Sequence, residues 1–193
     1  MNREGPAMHT RTVTTALAAA LLLTAAASGA AAAPAAPAAP DARGKATPQC
    51  RANQVRVAAV TVEPDAGQYP NVLHISVTNE SKKKCAVDRI PTVVFGDLDG
   101  PALPVPLGES GPYVLDGGEA GHAAVRTIED PADPETRLVD HIVVAGAPAH
   151  PGARFTADDL DIDGKIRVWE PVTTWWQPTF AEAEEVLANR YQA

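Results

Sequence analysis

The feature that most constrains this chain is the position of its only two cysteines, Cys50 and Cys85. Two strand-like runs lie between them, residues 54–62 (QVRVAAVTV) and 71–78 (NVLHISVT), and a third run, residues 93–95, follows Cys85 closely. Two cysteines in a secreted chain form a disulfide by default. The spacing therefore predicts a β-rich nucleus that is closed by a Cys50–Cys85 disulfide.

The pattern of apolar residues favours short strands. In residues 72–78 every second residue is apolar, which is typical of a half-buried strand. The first run is less regular, because Val60 and Val62 fall out of phase with Val55 and Val57; this predicts a bulge or burial of both faces. Aromatic residues make up only 5% of the chain, against 14 Gly and 18 Pro, a composition that favours strands joined by turns. We predict an all-β fold, an immunoglobulin-like antiparallel β-sandwich.

Further strands are predicted after the second cysteine, at residues 113–115, 122–128, 138–145 and 172–176. Four prolines in or beside residues 100–111 restrict that segment to an edge strand or an ordered loop, because proline cannot donate to a sheet ladder. The sandwich domain is therefore expected to span residues 49–177.

The C-terminal segment, residues 178–193, predicts a short α-helix. Thr179 and Glu182 match a capping box, in which each side chain satisfies a backbone N–H of the first turn. An apolar stripe at helical spacing follows, formed by Phe180, Ala183, Leu187 and Tyr191. We expect this stripe to dock the helix as a lid over one end of the sandwich; the alternative is a helix that binds a partner.

The first 33 residues have the three regions of a secretory signal peptide. A short basic start precedes the Leu/Ala run of residues 13–27, and small residues near 30–33 offer a cleavage site. An uncleaved membrane anchor is the alternative, although the run is only marginally long enough to span a bilayer. Residues 34–48 are an Ala/Pro-rich linker with nothing to bury. We expect a secreted protein that does not insert into the membrane once the leader is removed.

The charge of the chain excludes some partners. It carries 16 Lys and Arg against 24 Asp and Glu, a formal net charge of −8. An acidic domain without a basic stripe is a poor binder of nucleic acid, and anionic surfaces attract it weakly. The expected partner is a protein or a cell-wall component.

Catalytic signatures are absent from the sequence. Residues 108–111 (GESG) resemble a nucleophile elbow, but Pro112 stands in place of the final glycine and the segment is Pro-rich. The histidines show no metal-ligand spacing; His74 and His141 are two that would meet if their strands were adjacent. The tryptophans Trp169, Trp175 and Trp176 suit a sugar-stacking platform, although closing an aromatic-poor core explains them better. We predict no catalytic residues and no cofactor.

One segment fits a calcium-binding loop. Residues 159–170 (DLDIDGKIRVWE) match D-x-D-x-D-G-x5-E, and the ligands would come from Asp159, Asp161, Asp163, Lys165 and Glu170. Neither flank suits a helix, because Gly and Pro precede the segment and Pro171 follows it. The apolar residues at 160, 162, 166 and 168 alternate as in a β-hairpin around an Asp-Gly turn. We therefore prefer a metal-free hairpin and keep calcium as the alternative.

The block from Asn79 to Gly100 resembles a known family. Its matching residues are Asn79, Cys85, Val87, Pro91, Val93, Asp99 and Gly100, and the run at residues 115–120 (LDGGEA) resembles a later family stretch. The block is similar to that of the secreted actinobacterial domains of unknown function called DUF4232. Arg89 and Ile90 replace the usual Gly-aromatic pair before Pro91, and a second cysteine pair frequent in the family is missing. The resemblance implies architecture and location, and no mechanism.

These observations lead to one expectation of function. We expect a secreted, non-enzymatic β-sandwich module with a binding or structural role at the cell envelope. The alternative is a secreted hydrolase or enzyme inhibitor whose site is built from scattered residues.

Overall fold

The computed structural model describes residues 46–62, 71–108, 111–130 and 132–189. The predicted signal peptide, most of the predicted linker at 34–48, and the last stripe residue, Tyr191, lie outside these ranges. No helix within them is long and apolar enough to cross a membrane.

The described residues form twelve strands, one α-helix and two short 3-10 helices, at Ala52–Gln54 and Asp158–Leu160. The strands are β1 (Val55–Thr61), β2 (Val72–Asn79), β3 (Cys85–Val87), β4 (Thr92–Phe95), β5 (Leu103–Val105), β6 (Tyr113–Leu115), β7 (Ala120–Arg126), β8 (Arg137–Val139), β9 (His141–Ala145), β10 (Ala153–Thr156), β11 (Ile166–Val168) and β12 (Val172–Thr174). The helix is α1 (Phe180–Ala188). The prediction of a β-rich fold with one short C-terminal helix is confirmed.

A five-stranded sheet in the order β1-β2-β7-β12-β5 forms the largest layer. Smaller sheets follow the orders β10-β9-β4, β11-β8 and β3-β6. Among these strands the pairing is antiparallel except between β5 and β12, which are parallel. The predicted antiparallel arrangement is thus confirmed in the main, and an immunoglobulin-like connection order stays a prediction.

Each sheet packs one of its faces into the main hydrophobic core. In β2, Leu73, Ile75 and Val77 are fully buried, and they pack in one cluster with Phe95 of β4 and Ile142 of β9. The alternation of apolar and polar residues in the sequence of β2 therefore matches the alternation of buried and less buried residues in the structure. It places the polar residues of β2 on the outer face of the five-stranded sheet.

Strand β1 corrects one prediction. Its residues pair with β2 without interruption from Val55 to Thr61, so the strand contains no bulge. Val60 is 53% exposed, so the two faces are not both buried either. An exposed valine is tolerated here because single surface apolar residues are common in soluble proteins.

The predicted disulfide joins the start of the domain to β3. Cys50 and Cys85 are bonded, their Cα atoms are 4.9 Å apart, and 35 positions separate them in sequence. Both residues are 3% exposed. The Cys50 N–H also donates to the Ala86 carbonyl at 2.8 Å, so the bridge anchors a segment that already lies beside β3.

Asn79, at the end of β2, connects two turns. Its side chain is fully buried, and its Nδ2 donates to the carbonyls of Lys83, Leu115 and Asp116 at 2.8, 3.2 and 3.0 Å. Its Oδ1 accepts from the backbone N–H and the hydroxyl of Ser81 at 3.0 and 2.7 Å. One amide therefore holds the β2–β3 connection against the turn that follows β6.

The proline-rich segment forms the predicted edge strand, since β5 lies at the end of the five-stranded sheet. The Leu103 N–H donates to the Pro171 carbonyl at 2.9 Å, which places it on the β12 side. Pro104 has no N–H to present on the opposite side, because neighbouring residues in a strand point their N–H groups to opposite edges. Proline thus blunts this edge against pairing with another chain.

Helix α1 begins where the sequence predicts. The Thr179 hydroxyl accepts from the Glu182 N–H at 3.2 Å, as an N-cap residue does. Ala183 and Leu187 are buried in a second, smaller cluster with Ala124 and Val172 of the sheet. The helix therefore covers the outer face of the five-stranded sheet, whereas the prediction placed it over one end of the sandwich.

The hairpin predicted around Asp163 and Gly164 is wrong. The residues before the turn form the 3-10 helix Asp158–Leu160, and β11 pairs with β8 instead of with them. Ile166 faces Val139 across that pair. Local alternation therefore predicted the strand correctly and its partner wrongly, because the pairing is decided by burial against a distant segment.

Candidate functional site

The residues of the family resemblance mainly build the fold. Three of them are buried core residues: Cys85, Val87 and Val93. Asn79 joins two turns, as described above. Pro91 is the exception, because it lines a surface groove.

We call this concave surface the proline groove. Its volume is about 580 Å³. Its walls come from the segment before β4, the two ends of β5 and the start of β6, and they consist of Gln49, Asp88, Arg89, Ile90, Pro91, Thr92, Pro101, Ala102, Pro104, Gly108, Pro112 and Pro148. Prolines from four separate segments thus form a surface that is mostly apolar and conformationally stiff.

Arg89 is the cation of the proline groove. Its guanidinium carbon lies 5.1 Å from the centre of the Tyr113 ring and 5.7 Å from that of Trp175. Its carbonyl accepts from the Trp176 N–H at 3.0 Å, which fixes the backbone. Two rings at this distance attract a cation through their π electrons, so both rings help to hold Arg89 in place.

The charge of Arg89 has no carboxylate partner among the described residues, since none of their ion pairs includes it. Its Nε is buried without a hydrogen-bond acceptor there. The Nε1 of Trp175 is likewise buried without an acceptor in the described ranges. Buried donors of this kind normally find a partner, so this end of the groove is suited to an acceptor from outside.

Tyr113, whose ring lies beside Arg89, is affected by burial and by the charges around it. Burial raises the pKa of Tyr113, and the Glu119 carboxylate raises it further, while Arg89 lowers it. Tyr113 is therefore a neutral ring at physiological pH. It acts on Arg89 through its π face and not as an anion.

The tryptophans do not form one platform. Trp176 is fully buried in the main core, which confirms the core interpretation for this residue. Trp175 is half-buried beside Arg89, and a Cβ at Gly108 would lie 3.9 Å from its Cζ2 atom. Trp175 therefore belongs to the rim of the proline groove.

A second group lies under helix α1; we call His74, His122, Phe180 and Glu184 the histidine cluster. The His74 ring stacks on Phe180 with centroids 4.3 Å apart and planes at 8°, and His122 meets Phe180 edge-on, also at 4.3 Å. His74 Nε2 lies 2.8 Å from Glu184 Oε1. Two strands and the first turns of the helix thus meet at one aromatic residue.

Within the histidine cluster, His122 has an unsatisfied ring nitrogen. Its Nδ1 is buried and has no hydrogen-bond partner in the described ranges. Burial lowers the pKa of His122, and the neighbouring His74 lowers it further. The ring is therefore held in its neutral form, because a charged ring would need a partner that the site lacks.

His74 and His141 do not lie on adjacent strands. His74 lies in β2 of the five-stranded sheet, whereas His141 begins β9 of the three-stranded sheet. His74 instead lies near His122 of β7, which pairs with Ser76 of β2. His150 stands apart, with its Nε2 3.0 Å from the Cys50 carbonyl.

The predicted calcium ligands are placed as follows. Asp159 Oδ2 accepts from the Thr156 N–H and hydroxyl at 2.8 and 2.7 Å, and these bonds lower the pKa of the exposed Asp159 carboxyl. Asp161 and Asp163 are exposed, and Lys165 Nζ lies 3.0 Å from the Asp140 carboxylate. Glu170 lies beyond β11 with φ of 45°. In the described ranges no three His, Cys, Asp or Glu side chains are grouped to hold a metal ion.

The elbow-like segment cannot be compared as a whole, because Glu109 and Ser110 lie outside the described residues. Gly108, which precedes them, lines the proline groove. The prediction of no catalytic residues stays a prediction.

Sequence reasoning missed both Arg89 and the histidine cluster. For Arg89 the signal was its departure from the family pattern. Arg89 and Ile90 stand where the family usually has a Gly-aromatic pair before Pro91, so a charged residue replaces an uncharged one. For the cluster it was the outward position of His74, on the same sheet face that an amphipathic C-terminal helix must cover. The pairing with His122 depends on strand order, which the sequence does not state.

Comparison with known proteins shows one relationship. No curated protein and no solved structure matches the chain. The family described as "Domain of unknown function (DUF4232)" matches residues 50–176, a range that holds both cysteines, the proline groove and the two histidines of the cluster. The chain therefore belongs to the DUF4232 family.

Proposed function

We propose that the protein is a secreted, non-enzymatic binding module of the cell envelope, and that its proline groove binds an extended segment of a partner protein that carries a carboxylate. The observation that carries the proposal is Arg89, which two rings hold in the groove without a carboxylate partner among the described residues. The leader-like sequence and the disulfide support a location outside the cytosol.

The shape and the charge of the groove favour this ligand. Stiff proline walls bind an extended chain with little loss of entropy, because the groove is already formed. Arg89 would bind a carboxylate, while Asp88 on the same wall would favour a donor or a cation next to it. The net charge of −8 repels a long acidic segment. A segment with one acidic residue among apolar ones fits best.

A peptide library displayed on phage tests the proposal. Selection against the purified domain should enrich sequences that hold an acidic residue beside apolar residues or prolines. A charged hydrogen bond contributes about 1.5–3 kcal/mol, so Arg89→Ala should weaken binding of an enriched peptide by roughly 10- to 150-fold. Arg154→Ala is the matched control, because Arg154 is an exposed arginine on β10 and should leave binding unchanged.

Two results would contradict the proposal. One is selection of peptides that bind Arg89→Ala as tightly as the unmutated domain. The other is turnover of a peptide, ester or glycoside substrate by the purified protein, which would favour the secreted hydrolase instead.

A further inference from the structure

Helix α1 rests on the sheet through two different contacts. Ala183 and Leu187 pack on Ala124 and Val172 in a small apolar cluster. Phe180 and Glu184 contact the two histidines of the sheet. Helix docking thus combines an apolar contact, which is insensitive to pH, with a contact to two imidazole rings.

The two histidines respond differently to a proton. His74 has the Glu184 carboxylate 2.8 Å from its Nε2, so a protonated His74 keeps a partner on the helix. His122 has no such partner: its Nδ1 is buried and unpaired in the described ranges. Protonation of His122 therefore places a charge between the sheet and the helix without an acceptor for it.

The surrounding charges do not relieve that cost. His74 lies near His122 from the side of β2, and a positive charge on His74 would repel a positive charge on His122. Arg126, on the same strand as His122, lines a surface depression with Glu184; its charge is paired with Glu129 at 3.6 Å, and a guanidinium offers no acceptor to His122. The helix contributes Glu184, already bonded to His74, and Glu182, whose charge acts on Tyr113. From β12 the contribution is Thr174, which carries no charge.

We propose that α1 is a lid released by acid: protonation of His122 weakens the docking of the helix and uncovers the apolar outer face of the five-stranded sheet. The sign follows from linkage. Burial lowers the pKa of His122, and the edge-on Phe180 ring of the helix is part of what buries it, so the docked state is favoured fully above the pKa of a free imidazole, and this preference is lost as the pH falls below it. The inference does not depend on the proline groove.

Hydrogen exchange of the full chain, measured by mass spectrometry at about pH 7.5 and pH 5.5, tests the lid. After correction for intrinsic exchange, the amides of residues 180–188 should exchange faster at the lower pH, while those of β9 should not. The expected increase in opening is at most roughly tenfold at pH 5.5, because that pH lies about one unit below the pKa of a free imidazole.

Three variants assign the effect. His122→Gln should abolish the acid response of the helix, and His122→Asn serves if the first variant does not fold. His150→Gln is the matched control, because His150 also has a buried, unpaired Nδ1 among the described residues but lies away from the helix; it should keep the response. The inference is overturned if the helix exchanges equally at both pH values. It is also overturned if the folded His122 variant keeps the acid response.

Discussion

Asn79 offers the sharpest test of how this fold is held together. Its amide makes five hydrogen bonds from a fully buried position, three through Nδ2 and two through Oδ1. At about 1 kcal/mol net for each bond, the loss on Asn79→Ala is at most about 5 kcal/mol. Two of the carbonyls find another donor in the alanine variant, because the Ser81 hydroxyl, released from Oδ1, lies 3.0 Å from Lys83 O, and the Glu119 N–H donates to Asp116 O. We therefore expect Asn79→Ala to lower the free energy of unfolding by about 3–4 kcal/mol.

Asn79→Asp separates hydrogen-bond direction from side-chain size. It keeps the shape of the side chain but places a carboxylate oxygen where Nδ2 faces three carbonyl oxygens. At neutral pH it should destabilise the domain more than the alanine does. The pKa of the introduced carboxyl should be raised in the folded state, since its charge is repelled there. The added loss should therefore be absent below about pH 4, the range of a free carboxyl, and should grow as the pH rises.

Urea unfolding followed by tryptophan fluorescence measures these changes. Asn53, exposed in the first 3-10 helix, supplies the matched controls Asn53→Ala and Asn53→Asp. Both should stay within about 0.5 kcal/mol of the unmutated domain. The role assigned to Asn79 is refuted if Asn79→Asp is as stable as Asn79→Ala at pH 7, or if Asn79→Ala costs less than about 1 kcal/mol.

Three further predictions concern the disulfide, a close approach of two turns and the acidic loop. The double variant Cys50→Ala/Cys85→Ala should lose about 3.5–4 kcal/mol in urea unfolding, since the bridge closes a loop across 35 positions; equal stability of the reduced and oxidised chains would contradict this. Gly117→Ala should cost about 1–3 kcal/mol, because its Cβ would lie 2.8 Å from the Lys82 carbonyl carbon, whereas Gly111→Ala meets no atom within 4 Å and should be nearly neutral by the same assay. Calorimetric titration should show no calcium binding tighter than about a millimolar, because Thr156 already occupies the Asp159 carboxylate; tighter binding that Asp161→Ala abolishes would restore the calcium loop.

Local patterns predicted the elements of this fold well. The alternation of β2, the cap at Thr179 and the stripe of α1 depend on neighbours within a few residues, so the sequence displays them directly. The disulfide was predictable because only two cysteines are present. Each of these features is encoded where it occurs.

Features that depend on distant segments were not predictable. β11 pairs with β8 and not with the residues before its turn, because the partner is chosen by what the apolar face can be buried against. His74 meets His122 through strand order. Arg89 gains its role from Tyr113 and Trp175, which follow it by many residues and reach it only in the folded domain. Both candidate sites in this protein therefore depend on how distant segments are brought together by the order of the strands.

The two candidate sites differ in their relation to the family. The walls of the proline groove come from residues 49–148 and its rim includes Trp175, and nearly all of these residues lie within the matched range of 50–176. The histidine cluster crosses the end of that range, because His74 and His122 lie inside it, whereas Phe180 and Glu184 belong to the helix beyond. Binding through the groove needs only the matched domain. Acid release as proposed needs α1 as well, which lies beyond the matched range, so the two proposals are tested by variants in different parts of the chain.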